Sequence, residues 1–135
     1  MSQHRVLSTG NKYFIPKEEF LTVLHYCKRY PLWVAELNTA PDTSRAIIYD
    51  KERVQTSGDF NPTEELAIRR AEIASKKKEL EDVIRSVDSD LYDWLILGVC
   101  YGMTYYQLQV MGIPCGKDMY YDRRRKLYYE MSKRI

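Results

Sequence analysis

The sequence is poor in the residues that punctuate, staple or activate a chain. Six glycines and five prolines in 135 residues leave little room for low-complexity linkers. Its three cysteines, Cys27, Cys100 and Cys115, are odd in number and far apart. Neither a disulfide framework nor a CxxC zinc site is offered, and a reducing cytoplasm is the simplest expectation. The two histidines, His4 and His25, have no Cys, Asp or second His at ligand or relay spacing, so neither a metal site nor a catalytic dyad is expected. There is no Gly-rich phosphate loop and no nucleophile elbow. The carboxylate pairs Glu18-Glu19 and Glu64-Glu65 read as acids at helix starts. The expectation is a protein without cofactor and without enzymatic activity. The longest apolar run, residues 94–100, is interrupted by Gly98 and far too short to cross a membrane. The first fourteen residues lack an apolar signal-peptide core. No membrane partner is expected.

What is present is an ordinary globular balance, 44% hydrophobic and 30% charged residues. The net charge of +2 is uninformative, but its distribution is not. Residues 101–135 carry about +4, with the densest run at Arg123, Arg124, Arg125 and Lys126. The pattern is all-α: an N-terminal helical segment, a long charged helix and a C-terminal helix-turn-helix. Pro16 at a first turn followed by Glu18 and Glu19 begins the first helix, whose apolar face is Phe20, Leu21, Val23, Leu24 and Cys27. Tyr30 and Pro31 stop it and begin a short helix carrying Trp33 and Leu37. Residues 38–61 are turn-rich, apart from the apolar patch 46–49, and read as a loop with a short strand or a turn of helix there. A loop of that length predicts a boundary between segments 1–61 and 62–135.

Residues 62–87 form the clearest helix. Asn61 can cap it and Pro62 sits at its first position. Leu66, Ile73, Leu80 and Val87 recur every seven residues among dense charges of both signs. Such a stripe serves either a coiled coil, making residues 62–87 a homo-oligomer interface, or packing within one chain. Asp88, Ser89 and Asp90 then cap a further helix, residues 91–101, in which Leu91, Trp94, Leu95, Leu97 and Val99 predict a central core element.

The informative pattern follows. Gly102 is a suitable helix stop. Thr104 with Gln107 has the form of a capping box, starting a two-turn helix whose Leu108 and Met111 face inward. Gly112 permits a tight turn, and Ile113 is the apolar plug after it. A third helix starts at Lys117, with Met119, Leu127 and Met131 on its buried side and Cys115 near its N-terminus, where a thiol pKa is lowered. Short helix, glycine turn and basic helix in this order have the logic of a helix-turn-helix that sets the last helix into the major groove of duplex DNA. Residues 117–126 are then the recognition stretch. Thr104 and Tyr105 lie at the bracing helix. Lys117, Tyr120, Tyr121 and Arg124 face outward to read base edges or phosphate, and Arg123, Arg125 and Lys126 add sequence-independent, salt-dependent affinity. A solvated basic helix without a partner is the plain alternative. Tyrosines crowd this unit as the pairs 105–106, 120–121 and 128–129. Neighbours on a helix point about 100° apart, so at most one of each pair is expected to be fully buried.

The stretch 103–131, MTYYQLQVMGIPCGKDMYYDRRRKLYYEM, resembles the C-terminal helix-turn-helix of the RinA and ArpU groups of phage transcriptional regulators, which are similar in turn to region 4 of bacterial sigma factors. In outline the likeness reaches upstream, through Tyr30-Pro31, a variable loop and a charged helix containing Ile68-Arg69-Arg70. Gly112 and Ile113 match the family turn, Cys115 stands near its usual serine cap, and Pro114 and Gly116 depart from its pattern. The resemblance implies a sequence-specific regulator of phage or prophage type that activates late genes in the cytoplasm of a bacterial host, with double-stranded DNA and host RNA polymerase as partners. The competing expectation is a non-catalytic packaging or assembly subunit that uses the same unit for protein contacts.

Overall fold

A computed structural model describes residues 10–39 and 62–135 of the chain. The loop, the patch at 46–49, the Asn61 cap and His4 lie outside the described residues. Among the described residues there are helices and turns and no strand, so the fold is all-α. The elements are α1 (Lys17–Cys27), α2 (Tyr30–Asn38), α3 (Pro62–Val87), α4 (Tyr92–Leu95) running into a π-helical turn (Ile96–Cys100), α5 (Tyr105–Met111) and α6 (Lys117–Ser132).

The chain does not divide at residue 61 as the loop suggested. One compact unit joins the described residues up to Pro31 with Lys78–Ile135, and the other comprises the described residues of Leu32–Lys77. In the first unit α1 packs on α6. Phe20 meets Tyr128 edge-on, with ring centroids 5.1 Å apart, and Tyr13 lies 5.8 Å from Tyr129. The expected apolar face of α1 is buried at Phe20, Val23, Leu24 and Cys27, while Leu21 stays half-exposed. From α3, Leu80, Val83, Ile84 and Val87 enter the same core, joined by Leu91, Leu95, Val99 and Cys100. Cys27 and Cys100 are therefore core fillers, as their apolar settings suggested, and burial pushes the Cys27 thiol up to about 12.

The heptad stripe of α3 is thus spent inside the chain. Ile73, Leu80 and Val87 are buried and Leu66 is half-buried, so that stripe is not available to a second copy. The second unit is held by arginines the periodicity did not single out. Arg70 donates to the carbonyls of Glu36 at 2.8 Å and Leu37 at 2.9 Å, capping the C-terminal end of α2, and Arg69 pairs with the Glu36 carboxylate at 2.8 Å. Trp33 and Ile73 are buried in this unit.

The helix expected over residues 91–101 takes an unusual course. Four α-helical residues widen into the π-helical turn, closed by Tyr101 N donating to Ile96 O at 3.3 Å. Gly102, at φ 74°, then stops it. Trp94 and Leu97, predicted in the core, are only half-buried, whereas Gly98 is buried.

Candidate nucleic-acid interface

The site is built outward from the π-helical turn, against which α5 packs. Thr104 closes the expected capping box. Its hydroxyl accepts from Gln107 N at 3.2 Å, and Gln107 Oε1 accepts from Thr104 N at 2.9 Å. At the other end Gly112, at φ 101°, gives the left-handed residue of a Schellman motif. Gly112 N donates to Gln109 O at 3.0 Å and Ile113 N to Leu108 O at 3.1 Å. Tyr105 then ties the turn to the helix before it, its hydroxyl donating to Cys115 O at 2.9 Å. Thr104 and Tyr105 thus build the turn, Thr104 staying exposed and Tyr105 half-buried.

α6 starts at Lys117 as expected, with Gly116 in the cap position. Glycine has no side chain to satisfy the first-turn amides, so these remain open to an external acceptor. Cys115 does not provide the cap. Its thiol is raised rather than lowered, by burial and the neighbouring Asp88, with Arg123 opposing.

The largest correction concerns the face of α6. Tyr120, expected outside, is completely buried, and its hydroxyl, beside the Arg124 guanidinium, makes no well-formed hydrogen bond among the described residues. It lies against Gly98. A β-carbon there would overlap the Tyr120 hydroxyl and stand 3.0 Å from its Cζ, so the missing side chain is what admits the ring. Burial pushes the Tyr120 hydroxyl up to about 12. Met119, expected inside, is 43% exposed, and Met111 is exposed as well. Tyr121 is half-buried, with its ring 5.4 Å from Tyr120 and 6.3 Å from Tyr105. Arg124 lies over it, the guanidinium carbon 4.4 Å from the Tyr121 centroid and Nε buried without a partner. Of the four residues expected to read bases, only Lys117 is exposed. Each tyrosine pair does contain at most one fully buried member.

Arg123 is also committed within the chain. Its Nε donates to Asp88 Oδ2 at 3.0 Å and its Nη1 to Asp122 at 2.7 Å. The other Asp88 oxygen accepts from Asp90 N at 3.0 Å and Leu91 N at 3.2 Å, so one carboxylate holds the turn that leads into α4 and clasps α6. Arg125 and Lys126, both half-buried, and exposed Lys117 have no ion pair with a described residue. Asp118, exposed beside Lys117, was not singled out, although its place in the first helical turn gives it the same outward setting.

Among the described residues no group of three His, Cys, Asp or Glu side chains could hold a metal ion, and no helix is long and apolar enough to cross a membrane. Comparison with family models, curated proteins and solved structures finds no match.

Proposed function

We propose that the chain is a sequence-specific DNA-binding regulator of phage or prophage type, gripping duplex DNA with α5, the Gly112 turn and α6 as a helix-turn-helix. The observation that carries the reading is the capped α5, the Schellman turn and a basic α6 whose Lys117, Arg125 and Lys126 have no ion pair with a described residue. Open first-turn amides at Gly116 and Lys117 suit a phosphate, as does the positive end of the α6 dipole. The resemblance of residues 103–131 to the RinA and ArpU regulators adds late-gene activation, a bacterial cytoplasm and contact with host RNA polymerase to the proposal.

A second reading, a packaging or assembly subunit, draws on the outer surface of α5. Tyr106 is 77% and Val110 81% exposed, one helical turn apart, on a helix without a charged residue. One experiment separates the readings: selection of bound fragments from a random duplex pool, followed by salt titration of the winner. A regulator enriches one motif. Lys117→Ala, Arg125→Ala and Lys126→Ala each lower its affinity and reduce the slope of log K against log salt by about 1 per lost phosphate contact. Arg123→Ala leaves that slope unchanged, because Asp88 and Asp122 already hold its charge. Failure to retain any duplex at moderate salt refutes the DNA reading. Salt-sensitive retention without a motif favours the assembly subunit.

A further inference from the structure

The side of α3 opposite its buried stripe has a pattern of its own. At about 100° per residue, positions 64, 67, 68, 71, 74, 75 and 78 all fall within roughly 60° of the direction of Ala71. Ile73 and Leu80 point the other way, into the core. Every residue of this outer face is exposed, with Ile68 at 53%. Reversed end for end, the face complements itself: an acid meets a base, small residues meet small ones, and the one large side chain meets an alanine. About Ala71, Glu64 mirrors Lys78, Ala67 mirrors Ser75, and Ile68 mirrors Ala74.

We propose that this face of α3 is an interface with a second copy of the chain, the two helices running antiparallel about a two-fold axis at Ala71. Reversal places Glu64 of each copy beside Lys78 of the other. It also seats Ile68 over the small Ala74, and brings Ala71 against Ala71 at the axis. Alanine and serine at the crossing allow close approach, toward the roughly 8 Å end of helix–helix spacing. Self-complementarity is what a two-fold contact requires of one surface, and an unrelated partner would have no need of it. Lys78 pairs with Asp82 at 2.9 Å and Glu64 is likewise engaged within its own chain, but all three are exposed, and such contacts are weak enough to be exchanged. The contact is about 21 Å long and one helix wide. Such a footprint falls short of the roughly 1,200 Å² of a standard specific interface, so the dimer is weak and reversible. The interface uses no residue of α5 or α6 and does not rest on the DNA reading.

The test is sedimentation of the full chain from roughly 10 to 500 μM, a range in which a micromolar dimer populates both states. The expected result is a monomer–dimer equilibrium that weakens with salt. Ala71→Glu sets two carboxylates against each other at the axis and raises the dissociation constant at least about tenfold. Its helix content and melting temperature stay unchanged, because the position is exposed. Glu64→Lys and Lys78→Glu each weaken the dimer, and the two together restore it. On mild oxidation Ala71→Cys cross-links to its own copy, whereas Glu64→Cys does not, since antiparallel helices hold those positions about 21 Å apart. A monomer across the whole range overturns the proposal. So does a dimer indifferent to Ala71→Glu, and so does cross-linking at position 64 as readily as at 71, which marks a parallel pairing.

Discussion

The contact between Tyr120 and Gly98 allows a double-mutant test of how α6 is seated. Gly98→Ala places a β-carbon on the Tyr120 hydroxyl, 3.0 Å from Cζ and 3.4 Å from Leu108 Cδ1. The ring is wholly buried and cannot swing into solvent. Overpacking of this kind costs about 1–3 kcal/mol. Replacing a helical glycine by alanine returns about 0.5–1 kcal/mol, so the single substitution destabilises by up to about 2.5 kcal/mol. Tyr120→Phe removes a hydroxyl that is buried without a well-formed hydrogen bond and carries a desolvation penalty of about 1–3 kcal/mol. Some of the recovery is lost to the small void the oxygen leaves. The variant should be neutral or more stable by about 1 kcal/mol, a rise of roughly 4 °C in melting temperature for a chain of this size. In the Gly98→Ala/Tyr120→Phe double variant the overlapping oxygen is gone, so Gly98→Ala costs less there than in wild type. Urea denaturation of all four proteins measures the coupling. Tyr120→Phe destabilising by more than about 1 kcal/mol, or a coupling of zero, would show that the hydroxyl does not sit against Gly98.

Other substitutions probe the parts that hold the site. Thr104→Ala removes the capping box of α5 and should cost about 1 kcal/mol in a urea melt. Asp88→Ala should cost more than Arg123→Ala, because it removes two amide caps as well as the clasp; equal losses in the same melt would contradict that division of labour. Arg70→Ala uncaps α2, so hydrogen exchange should quicken at residues 32–39 while the amides of α6 keep their protection. Alkali should destabilise the fold from about pH 9 upward. Burial raises the folded-state values of Cys27 and Tyr120 to about 12, from 9.0 and 10.0. These groups ionise first in the unfolded chain, and the stability present below their ordinary values is lost as pH climbs toward the folded ones. A urea midpoint that is flat from pH 8 to 11 would count against this.

The sequence made the turn legible and the face of α6 illegible, for different reasons. Thr104 with Gln107, and Gly112 with Ile113, are local devices. Each hydrogen bond they make is to a residue within five positions, so spacing alone announces them. The face of α6 depends on what it meets. From Leu127, Met119 lies eight positions back, about 80° off the stripe, while Tyr120 lies seven back, only about 20° off. With Arg124 and Met131, Tyr120 and Leu127 make a regular 4-3-4 stripe that the sequence does contain. Residue type argued the other way, since a methionine is expected in a core more readily than a tyrosine or an arginine. The tyrosine could be buried only because a glycine more than twenty positions upstream, in the π-helical turn, leaves room for its ring. No periodicity within α6 carries that information. The same holds for Arg123, whose partner Asp88 lies 35 positions away, and for the heptads of α3, whose stripe cannot say whether it is buried by another chain or within its own.

The corrected face changes what α6 can do. Four basic residues in a row seem to promise a broad cationic surface, but a helix distributes consecutive residues around its axis. Arg123 turns to Asp88, Arg124 lies over Tyr121, and Arg125 and Lys126 have no ion pair with a described residue. Any sequence discrimination must then come from the exposed first turn, Lys117, Asp118 and Met119. Their side chains supply a donor, an acceptor and an apolar contact, suited to guanine edges, the cytosine amino group and the thymine methyl respectively. Tyr121 and Arg124 act on that turn through packing. Arg124→Ala should therefore disturb affinity by loosening Tyr121, whereas Asp118→Ala should alter base preference at one position without altering the salt slope. If fragment selection returns the same motif for Asp118→Ala as for wild type, the exposed first turn is not where bases are read.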